Sequence, residues 1–396
     1  MSESGAWPSA SGALAGADLP APGDLSLTGV LGACVAAIDP GLPGALDEGV
    51  PASLGLPVGS ARQVMVILVD GLGLIPLEAR LGHAPVLRAH RGDIREAHTV
   101  APSTTAAAIT AFATGQRPGR TRMVGYSVLR EGGAGTGRRP DVMNLLAFAD
   151  GVDPVQWQPC DMAFERLARA GVESCVISPP TFAGSGLTRA ALRGARHVGA
   201  VSWSQRRRAA VRELRAGTPL IYLYWSDIDH TGHHHGCGSE QWTTALEDFD
   251  RGLGSLLREV PPGVATVLTA DHGMVDTGPD RLLDLAARPD LDQGVRAIAG
   301  EARSVHVHAL PGRGAEVLSR WREILDGRAW VLGPEEIPGV LGEGPGAGLV
   351  GDALVFLRGH AGIVDSRWQT PGSIAQIGVH GSLTPDEMRV PVVRLT

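Results

Sequence analysis

The feature that most constrains the fold is a series of short, continuous apolar runs, three of which lead directly into aspartates. The runs are VMVILV (64–69), SCVIS (174–178), LIYLYW (220–225) and VATVLTA (264–270). Continuous rather than alternating apolar runs are typical of strands buried on both faces of a mostly parallel sheet. The segments 164–171 and 245–260 have the apolar periodicity of helices. The pattern therefore predicts a doubly wound α/β fold.

The aspartates at the ends of three runs predict a single site. Asp70 follows the first run, Asp227 and Asp229 follow the third, and Asp271 follows the fourth. Ligands bind in the crevice beyond the carboxyl ends of parallel strands, so we expect these side chains to converge there. A structure that kept Asp70, Asp229 and Asp271 far apart would contradict this prediction.

The rest of the chain suggests four parts. Residues 1–24 are rich in Gly, Pro and Ala and are predicted to form a flexible N-terminal tail. Residues 25–300 are predicted to form the catalytic α/β core, with a first helix over 26–39. Residues 301–358 have a β-α-β-β pattern and are predicted to be a small inserted cap subdomain beside the site. Residues 359–396 are predicted to return to the core.

Composition excludes several enzyme classes. All 35 Lys and Arg residues are arginines. P-loop NTPases, protein kinases, pyridoxal-phosphate enzymes and Schiff-base aldolases each need a lysine, so all four classes are excluded. The net charge of −7 disfavours duplex nucleic acid as a partner, because binding to its phosphates needs a basic face. A small-molecule phosphoester needs only a local positive site and stays compatible.

The sequence also predicts the environment of the protein. The four cysteines lack the CxxC spacing of thiolate metal sites, which favours reduced thiols. No secretory signal pattern and no run of 18 or more apolar residues is visible, so a cytoplasmic protein without a membrane span is expected. The oligomeric state stays open.

Four short motifs predict a metal site. They are Asp70-Gly71, Asp229-x-x-Gly232-His233-x-x-Gly236, Asp271-His272-Gly273 and His380-Gly381. Carboxylate oxygens and imidazole nitrogens are common Zn²⁺ ligands, and an Asp and a His four residues apart can meet where glycine permits a tight turn. Each motif alone is weak, since an Asp-Gly pair after a strand is usually a turn. The prediction depends on the whole set, with each motif at its own strand end.

A Thr-containing segment lies between the first two motifs. Residues 101–108 read APSTTAAA and lead into an Ala-rich helix predicted to end at Gly115. Thr104 and Thr105 are therefore good candidates for a structural N-cap. A helix N-terminus also attracts anions, so one of these hydroxyls is equally a candidate nucleophile toward a phosphoryl group.

Together with Thr114-Gly115-x-x-Pro118, these motifs resemble the nucleotide pyrophosphatase/phosphodiesterase branch of the alkaline phosphatase superfamily over roughly 62–280 and 370–396. The resemblance implies an alkaline-phosphatase-like α/β/α sandwich. It also implies two divalent metal ions about 4 Å apart, with Zn²⁺ preferred and Mn²⁺ or Fe as alternatives. Asp229, His233 and His380 would hold one ion. The second would be held by Asp70, Thr105, Asp271 and His272. Thr105, as the fourth residue of the P-x-x-T motif, would form a phospho-threonine intermediate.

The implied activity is that of a phosphodiesterase or nucleotide pyrophosphatase. A phosphomonoesterase or phosphonate-type hydrolase is the alternative, and a non-catalytic metal-binding homologue is a third. Two departures from the family pattern bear on this choice. Ala108 stands where relatives commonly have a phosphoryl-binding asparagine, and Thr121-Arg122 stands where they often have His-Gly.

The remaining polar residues near the motifs are expected to be structural. Asp227 is predicted either to orient a ligand histidine or to make a turn. His230, His234 and His235 are predicted to be solvated loop residues. His306 and His308 are predicted to lie on one face of a strand.

Overall fold

The structure is a computed structural model that describes residues 7–47, 49–130 and 140–396. Its strands are β1 Gln63–Val69, β2 Ile94–His98, β3 Ser127–Leu129, β4 Val142–Asn144, β5 Ser174–Ser178, β6 Arg196–Gly199, β7 Leu220–Trp225, β8 Val264–Thr269, β9 Val275–Asp276, β10 Leu282–Asp284, β11 Val295–Glu301, β12 Ser304–Ala309, β13 Ala329–Leu332, β14 Ala353–Leu357, β15 Gly362–Val364, β16 Gly378–Val379 and β17 Arg389–Arg394.

The α-helices are α1 Leu27–Ile38, α2 Gly49–Ser53, α3 Leu74–Ala79, α4 Pro85–Ala89, α5 Thr105–Thr114, α6 Pro118–Thr121, α7 Pro154–Trp157, α8 Ala163–Arg169, α9 Gly186–Ala191, α10 Trp203–Ala216, α11 Asp227–His235, α12 Glu240–Leu257, α13 Pro289–Asp292, α14 Gly314–Ile324, α15 Ile337–Leu341, α16 Pro371–Ile374 and α17 Pro385–Met388. Short 3-10 helices cover Gly12–Leu14, Leu81–His83, Arg91–Asp93, Pro180–Phe182, Pro279–Arg281, Leu285–Ala287 and Ala347–Val350. Among the described helices, none has the length and hydropathy needed to cross a bilayer.

A seven-stranded sheet forms the centre of the molecule, in the order β2-β17-β8-β1-β7-β5-β6. Strands β1, β5, β6, β7 and β8 are mutually parallel, whereas β17 pairs antiparallel with β2 and β8. Helices α1, α5 and α8 form one contacting group, and α10, α11 and α12 form another. The predicted α/β sandwich with a mostly parallel sheet is confirmed.

The four apolar runs form the middle of this sheet because both of their faces are covered. Every residue of β5, β7 and β8 is buried, and in β1 only Gln63 is partly exposed. The predicted Ala-rich helix is α5, which ends at Gly115 with the left-handed backbone that favours glycine, φ 72°. These elements bring the carboxyl ends of β1, β7 and β8 to one edge of the sheet.

Within the predicted N-terminal tail, residues 1–24, residues 7–24 contact the rest of the molecule, and residues 1–6 lie outside the described residues. Leu14 and Ala17 are buried in a hydrophobic cluster with the inserted segment. Asp18 forms an ion pair with Arg389 of β17, with a 2.7 Å N–O distance. A few apolar and charged side chains thus anchor this Gly-, Pro- and Ala-rich segment to the rest of the molecule.

The inserted segment forms a four-stranded antiparallel sheet, β11-β12-β14-β13, that begins at Val295 rather than at residue 301. Arg303, in the β11–β12 turn, makes a fully buried ion pair with Glu387 at 2.7 Å. Glu387 also accepts a hydrogen bond from the backbone of Ser382. The inserted sheet is therefore tied to the C-terminal segment that carries His380. The division of the chain at residues 25, 301 and 359 stays a prediction.

Candidate active site

The ends of β1, β7 and β8 bring their acidic residues together as the sequence predicted. Asp70 follows β1 directly, Asp271 and His272 follow β8, and Asp229 lies in the first turn of α11 after β7. Gly71 permits this approach, because a Cβ at this position would lie 2.9 Å from the Cα and Cβ of Asp229. Its φ of 71° also favours glycine.

The first group of side chains surrounds His272. The Nε2 atom of His272 lies 3.4 Å from Asp70 Oδ1 and 3.5 Å from Asp271 Oδ2. The hydroxyl of Thr105 lies 3.1 Å from the same Nε2 atom. Asp70, Asp271 and His272 offer ligand atoms within 4.8 Å of one another. We call Asp70, Asp271, His272 and Thr105 the inner group.

The second group, Asp229, His233 and His380, is called the outer group. Its ligand atoms also lie within 4.8 Å of one another, with His233 Nε2 3.3 Å from Asp229 Oδ2. Asp229 and His233 meet across one turn of α11, so the tight turn expected around Gly232 is wrong. The ring of His380 stacks on that of His272 with a centroid distance of 3.7 Å, which joins the two groups.

Thr105 is the first residue of α5, and Thr104 is its N-cap. The expectation that Thr104 caps the helix with its hydroxyl is wrong, because the hydroxyl makes no cap hydrogen bond. Instead, Thr104 Oγ1 donates to Glu301 at 3.0 Å. The first amides of α5 lack partners within the helix, as at any helix N-terminus, so they are available to an anion beside Thr105.

All three histidines present their Nε2 atoms to the centre. The Nδ1 atom of His233 donates to Gly378 O at 2.8 Å, that of His272 to Gly273 O at 3.0 Å, and that of His380 to Ser103 O at 3.0 Å. A backbone carbonyl can only accept, so each Nδ1 carries a proton, and in the neutral imidazole the lone pair is then on Nε2. This is the arrangement in which a histidine binds a metal ion through Nε2.

Two of the three carboxylates of the site have raised pKa values. Burial and the neighbouring Asp271 and Asp229 raise the pKa of Asp70 well above its usual range. Burial likewise raises the pKa of Asp271. Asp229 is partly exposed, and the adjacent histidines lower its pKa. Within the described chain, Asp70 Oδ1, Asp229 Oδ1 and Asp271 Oδ2 are buried without a hydrogen-bond partner. Divalent cations would satisfy these oxygens and relieve the repulsion between the carboxylates.

Glu301, at the end of β11, is a site residue that sequence analysis missed. It accepts hydrogen bonds from the Thr104 hydroxyl and from the Tyr126 backbone amide, and its Oε2 lies 3.6 Å from His380 Nδ1. Burial raises its pKa to about 8. Gly381 makes room for it, because a Cβ there would lie 2.9 Å from Glu301 Cδ. Glu301 thus contacts three segments that carry or flank the two groups.

Two cavities open on either side of the site. The larger, about 550 Å³, is bounded by Thr105 and Asp70 and by apolar side chains that include Ile109, Phe182 and Leu187. The smaller, about 390 Å³, lies between Glu301 and the segment 363–376. Tyr126, His233, Gln376 and His380 border both cavities. Among the described lining residues of either cavity there is no arginine.

The other histidines do not join the site. His230, His234 and His235 are exposed as expected, but they lie on α11 rather than in a loop. His306 and His308 lie on β12, where burial and the mutual proximity of the two rings lower the pKa of His306 to about 3. These two histidines are strand residues, as predicted.

The departures from the family pattern also have structural positions. Ala108 is fully buried in the main hydrophobic core, which explains why a small side chain stands there. Thr121 ends α6, and Arg122 follows it with a positive φ of 64°. Asp227 begins α11 and is exposed, so the turn role expected for it becomes the start of a helix.

Comparison with known proteins gives one family match over most of the chain. The model of the type I phosphodiesterase/nucleotide pyrophosphatase family matches residues 64–383. Human ectonucleotide pyrophosphatase/phosphodiesterase family member 5 is 33% identical over 78 residues, 18% of this chain and 16% of that protein. Phosphopentomutase of Anaeromyxobacter dehalogenans is 32% identical over 31% of this chain and 30% of that protein. The matched region thus spans less than a third of each curated relative.

Solved structures share the fold over a larger part of the chain. Phosphonoacetate hydrolase from Sinorhizobium meliloti, in complex with phosphonoformate, has a TM-score of 0.66 at 21% identity, over 85% of this chain and 90% of that one. An inactive variant of mouse ectonucleotide pyrophosphatase/phosphodiesterase 5, in complex with AMP, has a TM-score of 0.64 at 16% identity, over 83% and 87%. At these identities the likeness concerns the fold alone.

Proposed function

Since the chain belongs to the type I phosphodiesterase/nucleotide pyrophosphatase family, we propose that it is a metal-dependent phosphodiesterase that uses Thr105 as its nucleophile. One observation carries the proposal. The Thr105 hydroxyl lies at the N-terminus of α5 and is 3.1 Å from Nε2 of His272, which belongs to one of two neighbouring groups of carboxylates and imidazoles. A helix N-terminus binds phosphoryl oxygens, so a substrate phosphorus held there would face this hydroxyl.

The residues present fit two divalent ions. Asp229, His233 and His380 would hold one ion. Asp70, Thr105, Asp271 and His272 would hold the other. The free Nε2 lone pairs and the unpartnered carboxylate oxygens support this assignment. Mixed oxygen and nitrogen ligands suit Zn²⁺, with Mn²⁺ and Fe as alternatives. Such ions supply positive charge that favours the ionised threonine hydroxyl and offsets the charge of the phosphoryl oxygens.

The proposed reaction consists of two successive displacements at phosphorus. In the first, Thr105 Oγ1 loses its proton to solvent and forms a bond to phosphorus, and the bond to the leaving-group oxygen breaks, with the leaving group taking up a proton from solvent when it needs one. The phosphoryl group stays on Thr105 with its remaining substituent. In the second, water attacks phosphorus and gives up a proton, the bond to Thr105 breaks, Oγ1 is protonated again, and a phosphate monoester departs. The amides at the start of α5 can bind a phosphoryl oxygen through both steps.

The cavities favour a diester over a monoester. A diester carries two organic substituents, and the site opens into two cavities of about 550 Å³ and 390 Å³. A monoester dianion would need a further cation for its third phosphoryl oxygen. The described cavity walls contain no arginine and the chain contains no lysine. The same lack of a cation disfavours substrates with a carboxylate, such as phosphonoacetate.

A panel of substrates tests this preference. With zinc present, we expect higher kcat/KM for bis-nitrophenyl phosphate and nitrophenyl thymidine phosphate than for nitrophenyl phosphate. Phosphonoacetate should be the poorest of the four. A higher kcat/KM for the monoester or for phosphonoacetate would instead assign the protein as a phosphomonoesterase or a phosphonate-type hydrolase. If none of the four is turned over with or without zinc, a non-catalytic metal-binding protein is the better description.

Glu301 provides a second prediction for this site. Glu301→Ala removes the acceptor of Thr104 and the carboxyl beside His380, and we expect kcat to fall about 10–100-fold, as for other groups that orient metal ligands. KM should change less, because the substrate cavities stay formed. The expected zinc content per chain is also lower. Steady-state kinetics with elemental analysis measures all three quantities.

Conservative variants distinguish a role of Glu301 in positioning its neighbours from a role in folding. Glu301→Gln retains an acceptor for Thr104 and should recover most of the rate. Glu335→Ala, which removes an exposed carboxylate in the same inserted segment, should behave as wild type. If Glu301→Ala and Glu301→Gln lose kcat equally and both keep full zinc content, Glu301 does not act by positioning Thr104 and His380.

A further inference from the structure

Helix α11 carries a second pair of imidazoles, outside the site described above. His230 and His234 are both exposed. Their rings touch edge to face, with centroids 4.5 Å apart and planes at 77°. Neither residue has a role in the proposed reaction, and neither lines the two cavities beside Thr105.

The spacing of the pair is that of a metal chelate. Residues four apart lie one above the other on the same face of a helix. Asp229 and His233 have this spacing on the same helix, and their ligand atoms lie 3.3 Å apart. His230 and His234 repeat the spacing one residue later, about 100° around the helix. Two histidines at this spacing supply the paired zinc ligands of helical metalloprotease motifs.

The surroundings of the pair suit a cation. A surface cavity of about 420 Å³ is lined by both histidines and by Asp227 and Asp248. Asp227 lies one turn before His230 on α11, and Asp248 comes from α12. The guanidinium of Arg206 interacts with Asp227 and offsets part of its charge. Asp227 and Asp248 thus place negative charge beside the two imidazoles.

We propose that His230 and His234 form a peripheral site for one divalent transition metal ion of the Zn²⁺, Ni²⁺ or Cu²⁺ class. Imidazole selects these ions over Mg²⁺ and Ca²⁺, which prefer oxygen ligands. An ion held there joins successive turns of α11, the helix that also carries Asp229 and His233. Occupancy should stabilise the folded protein, because the native helix holds the two imidazoles together and should bind the ion more tightly than the unfolded chain does.

Calorimetry with nickel tests the site. Protein loaded with zinc and freed of loosely bound metal is titrated with NiCl₂, and we expect one nickel ion to bind per chain. His230→Gln and His234→Gln should each weaken this binding at least tenfold, since even groups that only orient a ligand matter by about 10–100-fold. The double variant should bind no nickel at this site. Glutamine favours helix, so these changes preserve α11.

The matched control is His360→Gln, which changes an exposed histidine that lies outside α11 and does not line this cavity. It should bind nickel as wild type does, and zinc content should be equal in all variants. With Cu²⁺ as the probe, electron paramagnetic resonance should show coupling to two imidazole nitrogens, and the double variant should lose it. The proposal is overturned if wild-type protein binds no nickel, if the double variant binds it unchanged, or if His360→Gln loses it.

Discussion

Thr105→Ala is expected to reduce phosphodiester turnover by several orders of magnitude, on the order of 10⁴-fold or more, as when other enzymes lose their nucleophile. The hydroxyl is the atom that forms the new bond to phosphorus, and no other hydroxyl lies as close to His272 among the described contacts. Both metal ions should stay bound, because six other ligand side chains remain. Single-turnover kinetics with elemental analysis measures both quantities.

Two further variants act as controls. Thr105→Ser retains the hydroxyl and should keep partial activity. Thr104→Val keeps the shape of the neighbouring residue but removes its hydrogen bond to buried Glu301, for a loss of stability of about 1–3 kcal/mol. Its effect on turnover should be far smaller than that of Thr105→Ala. An inactive Thr104 variant beside an active Thr105→Ala would mean that Thr104 is the nucleophile.

Asp271→Asn is expected to abolish activity through loss of metal. Asp271 is fully buried, and its Oδ2 lies 3.5 Å from His272 Nε2 within the inner group. An asparagine removes the negative charge that compensates a divalent ion. Groups that merely orient metal ligands change affinity by about 10–100-fold, so loss of a direct ligand should weaken zinc at least this much. Elemental analysis should find close to one ion per chain instead of two.

Zinc removal and the variant Asp227→Asn are the controls for this experiment. A chelator should inactivate wild-type protein, and added zinc should restore turnover. Asp227→Asn changes a nearby but exposed aspartate and should retain both ions and full activity. If Asp271→Asn keeps two ions and wild-type turnover, Asp271 is not a ligand of the catalytic centre.

The elements that determine this site could largely be predicted from the sequence. The four apolar runs are the strands β1, β5, β7 and β8, because a short uninterrupted run rich in β-branched residues fits a strand covered on both faces. Parallel strands place their carboxyl ends together, so Asp70, Asp229 and Asp271 meet without further information. Their roles as metal ligands, and that of Thr105 as nucleophile, stay predictions that the experiments above address.

Contacts between distant segments could not be predicted. Glu301 reaches the site from β11, and neither its neighbours in sequence nor the spacing of the motifs marks it. Tyr126 borders both cavities for a similar reason, because the packing of β3 against β11 sets its position. The raised pKa of Glu301 marks it as a candidate site residue. This shift depends on burial in the folded protein, so it cannot be seen in the sequence.

Local conformation differs from the prediction at two places, the segment around Gly232 and the side chain of Thr104. The sequence around Gly232 allows either a turn or a helix, and the structure has the helix α11, in which Asp229 and His233 meet across one helical turn. Thr104 has the right residue type and position for a capping side chain. Its hydroxyl instead bonds to Glu301, which lies too far along the chain to enter a local prediction.

The most direct test of the account is to identify what Thr105 carries during turnover. Protein mixed with excess bis-nitrophenyl phosphate is quenched in acid and digested with trypsin, which releases residues 96–120 because it does not cleave before Pro118. Tandem mass spectrometry should locate a nitrophenyl phosphoryl group on Thr105, and a chiral substrate should react with retention of configuration at phosphorus. Steady turnover with an unmodified Thr105 and inversion at phosphorus would show that water attacks directly and would contradict the account.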